Sequence, residues 1–128
     1  MKAFVFWTGI YNIVVGFSVF FPKLFAMLGV RLPDHVAWTE MIAVLIMILG
    51  VMLVVCSRDL ATRAPVVVWE GIGRLAAFLH LGWFGFMEGF GVMLGLIGVV
   101  DLIIGLVYIF GLPKHLGRSL SQLVLDRS

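Results

Sequence analysis

Six polar side chains lie inside long apolar stretches of the sequence, where their presence demands a chemical reason. Five of them can carry a charge, and the sixth is an asparagine. An ionisable group at bilayer depth costs about 2.5–3.5 kcal/mol on insertion scales, so it is expected to face other helices and to find a partner there. The set predicted to form a ligand-binding or polar cluster is Asn12, Glu40, Glu70, Arg74, His80 and Asp101.

Arg74 has the best-placed partners in this set. Because a helix rises about 1.5 Å per residue, Arg74 lies near the middle of its stretch, level with Asn12 and Asp101 in theirs. We predict an Arg74–Asp101 ion pair with Asn12 hydrogen-bonded to one partner. Glu70 precedes Arg74 by one helical turn on the same face, and it is expected to complete the group.

Glu40 and His80 form a second level, closer to the outer surface. Histidine changes charge near neutral pH, so His80 beside a carboxylate would suit a proton-coupled step. If Glu40 and His80 meet, the two levels together make a polar thread through the protein.

Two interpretations of this thread stay open at the level of sequence. Satisfied polar pairs can serve only to fix the rotation and register of helices. Alternatively, the same groups can line a ligand pocket or a proton path. Glu40, Glu70 and Asp101 outnumber Arg74, so at least one acid lacks a permanent cationic partner. That excess keeps the proton path under consideration.

The sequence predicts no catalytic residues, metal site or cofactor. His80 is the histidine within an apolar stretch, whereas His35 and His115 fall at opposite faces, so a multi-histidine metal or haem site is not expected. The sequence contains no glycine loop in the strand-and-turn context that phosphate binding needs. It contains no basic run either, so nucleic acid is not an expected partner.

These side chains must be positioned by four near-continuous apolar runs, 3–21, 37–56, 66–86 and 92–111. The mean hydropathy is +1.17, and only 12% of the residues are charged. About 20 helical residues span the hydrocarbon core of a bilayer, and lipid forces each spanning segment to satisfy its backbone internally. We predict an all-α fold: a single domain over residues 1–128 that forms an integral membrane four-helix bundle with up-down-up-down topology.

The segments between the runs carry further expectations. Residues 23–30 are too apolar for a free loop and predict a short interfacial helix after the first span. Residues 57–65 are expected to form a loop, with Pro65 opening the third helix. The tail 116–124 has one apolar face, and it either lies on the membrane surface or frays.

Small residues predict close contacts between helices. Gly9 and Gly16 lie two turns apart and favour one closely packed face on the first helix. Gly73 and Ala77 have the small-xxx-small spacing that lets helix backbones approach each other.

The flanking charges predict the orientation. Six basic residues flank the spans on one side, whereas Lys23 and Arg31 flank them on the other, and positive residues stay cytoplasmic. Both termini are therefore expected in the cytoplasm, with the protein in the inner membrane of a bacterium. The six residues are Lys2, Arg58, Arg63, Lys114, Arg118 and Arg127.

The layout resembles the DoxX-like group of small bacterial membrane proteins. The residues that carry the resemblance are Gly9, Tyr11, Gly16, Phe21, Pro22, Glu70 and Arg74. It covers nearly the whole chain and implies a four-helix membrane bundle, with little implied about activity.

The sequence favours a non-enzymatic protein that holds an apolar or lipid-like ligand, or supports a membrane complex, around the buried polar cluster. The expected partners are membrane lipid, an apolar small molecule, and a second copy or another membrane subunit. A proton-coupled small-molecule transporter is the alternative, and a membrane-embedded isomerase-like enzyme is the third.

Overall fold

Regular structure in residues 1–127, which are the residues that this computed structural model describes, is entirely helical. Short π-helical segments extend two of the helices, at Trp83–Met87 after the fourth and at Val107–Gly111 after the fifth. The seven α-helices are α1 (Lys2–Ser18), α2 (Pro22–Met27), α3 (Val36–Arg58), α4 (Leu60–Gly82), α5 (Val92–Leu106), α6 (Leu112–Leu116) and α7 (Leu120–Val124).

Three continuous helical units are long and apolar enough to cross a membrane: Val36–Arg58, Leu60–Met87 and Val92–Leu116. Their outer surfaces are apolar as well, since Leu45, Ile48 and neighbouring residues of α3 are about half exposed. An apolar surface of this extent would drive association in water, whereas lipid covers it at no cost. The all-α prediction is confirmed, and these three units fit its membrane character.

α1 packs closely along α3 because glycines remove the side chains at their crossing. A Cβ added to Gly9 would lie 2.7 Å from the carbonyl oxygen of Gly50, and one added to Gly50 would lie 2.6 Å from that of Gly9. Two turns further along α1, a Cβ on Gly16 would lie 2.8 Å from the carbonyl oxygen of Ala43. The predicted close face of α1 is confirmed, and α3 is its partner.

α4 and α5 form a second close pair. A Cβ on Gly105 would lie 2.8 Å from the carbonyl oxygen of Gly71, so these two backbones also touch where side chains are absent. The long helices are therefore arranged as two tight pairs, α1 with α3 and α4 with α5, and contacts between α3 and α4 are fewer.

The predicted loop at 57–65 is wrong, because almost all of it is helical. α3 continues to Arg58 and α4 begins at Leu60, so that Asp59 alone separates the two helices. Leu60, Ala64 and Val68 recur at helical spacing and are almost completely buried, so packing extends the helix. Pro65 lies inside α4, where it cannot bond the carbonyl of residue 61. That Ala61 carbonyl instead accepts a 3.5 Å hydrogen bond from Nη1 of Arg118.

Two short helices, α2 and α7, complete the fold. The predicted short helix after the first span is confirmed as α2, which begins at Pro22 and is followed by Gly29 with φ +71°. The tail folds back as α7, whose Ser119 and Gln122 form a reciprocal capping box. Leu123 of α7 is fully buried, so the tail is packed against the helices and is not frayed.

Two apolar clusters occupy opposite ends of the bundle. One contains Val5 of α1 together with Leu53, Tyr108 and Leu123. The other contains Val19 at the far end of α1, with Phe25 and neighbours. Asn12 lies midway between Val5 and Val19, and the polar residues gather at this middle level.

Candidate functional site

Arg74 joins three helices at the middle of the molecule. Its Nε donates to Oε2 of Glu70 at 2.9 Å, one turn earlier on α4. Its Nη2 donates to Oδ1 of Asn12 on α1 at 2.8 Å, and its Nη1 donates to Oδ1 of Asp101 on α5. Only 5% of the Arg74 side chain is exposed. The predicted contacts among these four residues, called the Arg74 cluster below, are confirmed.

The Arg74 cluster is not balanced in formal charge. It holds two carboxylates against one guanidinium, and residues 1–127 contain no further ion pair that involves Glu70 or Asp101. The exposed fraction is 10% for the Glu70 side chain and 15% for that of Asp101. Burial makes an uncompensated charge costly, so this excess of acid is available to a proton or to a ligand.

The Arg74 cluster forms part of the wall of a cleft of about 820 Å³. The cleft lies between the two helix pairs, and the rest of its lining is largely apolar, including Val15, Ile46, Leu53 and Ile97. Such a volume falls within the usual range for small-molecule sites, which combine apolar walls with a few placed polar groups.

The cleft opens to the surface between α3 and α4. Its lining includes Leu49 and Met52 of α3 and Val66 and Trp69 of α4, and all four side chains are exposed. These helices are joined by Asp59 alone and make few contacts with each other. The opening therefore lies along two of the helices that can cross a membrane.

The tail also contributes to the cleft. Val124 and Asp126 line it, and Nε1 of Trp69 donates a hydrogen bond to the Val124 carbonyl oxygen at 3.1 Å.

Tyr11 is a cleft residue that the sequence did not predict to belong to the site. It lines the cleft on α1, one residue before Asn12. Its position next to Asn12 was the available signal, but a tyrosine in a membrane helix is more often an interfacial anchor.

Glu40 and His80 do not form the predicted pair. His80 lines the cleft, and its Nδ1 lies 3.0 Å from the carbonyl oxygen of Ala76. Glu40 is exposed, lies outside the cleft lining, and has no ion pair or hydrogen bond within the described part of the chain. Both residues lie near the helix ends that are farthest from the Asp59 junction, and α3 and α4 make few contacts with each other. The predicted thread therefore does not extend to Glu40.

Gly73 has a different role from the predicted helix contact. A Cβ at this position would meet nothing within 4 Å, and both Gly73 and Ala77 line the cleft. These small residues leave space on the face of α4 where the cleft lies.

Within residues 1–127 no group of three His, Cys, Asp or Glu side chains is arranged to hold a metal ion. No protein-family model, curated protein or solved structure matches the chain.

Proposed function

We propose that this protein is a four-span membrane protein that holds an amphipathic, lipid-like molecule in the cleft between its helix pairs. The observation that carries the proposal is an apolar cleft of about 820 Å³ with the Arg74 cluster in its wall. An alkyl chain would lie against the apolar lining, and a polar head group would reach the Arg74 cluster. Supporting a larger membrane complex is compatible with the same site, since a bound lipid can stabilise a subunit.

α1 supplies the fourth span in this proposal. It contains 17 residues, which corresponds to about 26 Å of helix and is close to the hydrocarbon thickness. The hydrogen bond between Asn12 and Arg74 places the middle of α1 beside the middle of α4, as expected of two helices that cross together. The charge bias then supports cytoplasmic termini and a bacterial inner membrane. The resemblance to the DoxX-like group, which rests on the layout of the sequence, is part of this proposal.

The opening between α3 and α4 supports entry from the bilayer. Its rim residues are apolar and lie along helices that can cross the membrane, so a lipid-like molecule would reach the cleft without passing through water. An apolar ligand also gains by replacing lipid contacts with closer packing against Leu49 and Met52.

A proton-coupled transporter is the second candidate function. The observation that favours it is the excess of carboxylate in the Arg74 cluster, together with His80 on the wall of the same cleft. Transport would additionally require access from both faces of the membrane, so we rank it below ligand binding.

Fluorescence from single tryptophans tests the binding proposal. Trp69 lines the cleft and is 55% exposed, whereas Trp38 lies outside it and is 60% exposed, so the two differ mainly in location. Two variants each retain one of these residues and carry phenylalanine at the other three tryptophan positions. They are titrated in a neutral detergent with a brominated alkyl amphiphile.

Saturable quenching of Trp69, with only weak and linear quenching of Trp38, is the expected result. Equal linear quenching of both tryptophans would contradict a binding site in the cleft.

A further inference from the structure

We propose that the molecule held in the cleft carries a cationic amine head group. This inference rests on the proposed ligand-binding function and narrows its ligand class. It starts from the charges of the Arg74 cluster, in which Glu70 and Asp101 share one guanidinium. An ammonium group beside them would supply the missing positive charge.

The acceptors needed for such a head group face the cleft. Oδ1 of Asp101 is bonded to Arg74, but Oδ2 has no partner among residues 1–127 and is not sealed from the cleft. Tyr11, whose hydroxyl can accept a hydrogen bond, lines the same cleft. A protonated amine has up to three N–H donors and can bond to both oxygens, and a bond to an ionised acceptor is stronger than one between neutral groups.

Anionic head groups fit the site poorly. Three of the five N–H donors of Arg74 are already used, one on each nitrogen, for Glu70, Asp101 and Asn12. A carboxylate or phosphate would therefore meet a guanidinium that already serves two carboxylates, and it would be repelled by those two like charges. A neutral alcohol can donate one hydrogen bond to Asp101, but it leaves the excess charge in place. The order of affinity expected from these groups is amine, then alcohol, then carboxylate.

Three probes with the same alkyl chain test this order: dodecylamine, dodecanol and dodecanoate. Each displaces the brominated amphiphile from the full-length protein that retains Trp69, in neutral detergent at pH 7, and recovery of fluorescence gives the affinity. Dodecylamine is expected to bind at least about tenfold more tightly than dodecanol, because a hydrogen bond to a charged group is worth more than a neutral one.

Asp101→Asn and Glu40→Gln form the matched pair of variants. Asp101→Asn should bring dodecylamine within about twofold of dodecanol, since Arg74 and Glu70 then balance each other. Glu40→Gln removes one carboxylate outside the cleft and should leave the amine preference intact. The ranking of the three probes on the unsubstituted Arg74 cluster tests the proposal even if Asp101→Asn does not fold.

Each remaining outcome decides a separate point. Equal affinity for the amine and the alcohol would overturn the head-group assignment while leaving the cleft as a binding site. Loss of the preference in Glu40→Gln would also overturn it, because general surface charge would then be the cause. Saturable displacement by none of the probes would contradict the proposed function itself.

Discussion

Arg74 determines how the polar side chains of this protein are arranged. A guanidinium presents donors in several directions. Here they join α1 of one helix pair to α4 and α5 of the other. Loss of Arg74 and loss of Asp101 have different consequences for the charge of the Arg74 cluster. Removing Arg74 leaves both carboxylates without a cation, whereas removing Asp101 leaves an Arg74–Glu70 pair that is balanced.

Arg74→Gln and Asp101→Asn are therefore expected to differ in stability. Arg74→Gln should lower the free energy of unfolding by about 3–5 kcal/mol, since it leaves buried charge uncompensated. Asp101→Asn keeps an acceptor for Arg74 and should cost no more than about 1 kcal/mol. Thermal unfolding in detergent measures both, with the exposed Arg58→Gln as the control. Similar losses for the two cluster variants would refute the charge imbalance.

The sequence allowed the contacts of Arg74 to be predicted because depth in a membrane is a strong constraint. Asn12, Arg74 and Asp101 lie near the middle of their segments, and an unpaired group there is costly. Glu40 and His80 show the limit of that argument. Depth says nothing about helix rotation or about the separation of α3 from α4, so residues at a similar depth need not meet.

Glycines decide the spacing of the helices, but not every glycine does so. Gly9 lies where α1 touches α3, whereas Gly73 lies on the open face of α4. Both lie within a helix, and sequence spacing alone assigned a packing role to each. Only the position of the neighbouring helix separates a contact glycine from a cleft glycine.

Alanine at these two positions should act in opposite directions. Gly9→Ala would force the backbones of α1 and α3 apart, and overpacking of this kind costs about 1–3 kcal/mol. Gly73→Ala meets open space and should raise stability by about 0.5–1 kcal/mol, since alanine favours the helix. Chemical or thermal unfolding of both variants checks this pair. Destabilisation by Gly73→Ala would mean that α4 has a close neighbour there.

The junction of α3 and α4 could not be predicted from local signals. Charged residues and Pro65 are typical of a loop, yet the buried face of Leu60, Ala64 and Val68 continues the helix. Packing with α7 contributes to this end of the molecule. Tertiary contacts therefore override the local preference, as the neighbouring hydrogen bond from Arg118 to Ala61 illustrates.

Packing of the tail predicts its resistance to protease. Leu123 is fully buried, whereas Leu120 on the same short helix is 37% exposed. Leu123→Asp should release the tail and raise the rate of trypsin cleavage after Arg118 several-fold, and Leu120→Asp should change it little. Rates are read by mass spectrometry of the purified protein. Equal cleavage of both variants would contradict the packed tail.

At the scale of the whole molecule, the number of crossings follows from α1. The three longer helical units alone would place the two termini on opposite sides of a membrane. If α1 also crosses, the termini share one side, and the charge bias makes that side the cytoplasm. The composition alone indicated a membrane protein, whereas the arrangement into two close pairs required knowledge of which glycines meet.

Reporter fusions at the two ends and within 31–35 test the topology. We expect cytoplasmic signals from both terminal fusions and a periplasmic signal from the internal one, since six basic residues flank one side and two flank the other. Opposite signals from the two termini would indicate three crossings, and α1 would then lie outside the membrane.

The central claim is that a ligand occupies the cleft, and filling the cleft tests it most directly. Gly73→Leu places a side chain into open space on the cleft wall. The control is Gly82→Leu, which adds the same side chain to α4 outside the cleft lining. A Cβ at Gly82 would lie 3.5 Å from the ring of Phe78, an ordinary contact. The measurement is saturable binding of the brominated alkyl amphiphile to the full-length protein, followed through Trp69. We predict that Gly73→Leu weakens binding at least about tenfold while Gly82→Leu binds as the unsubstituted protein does, because a filled site loses both the space and the apolar contact area. Undiminished binding by a folded Gly73→Leu variant would contradict the account.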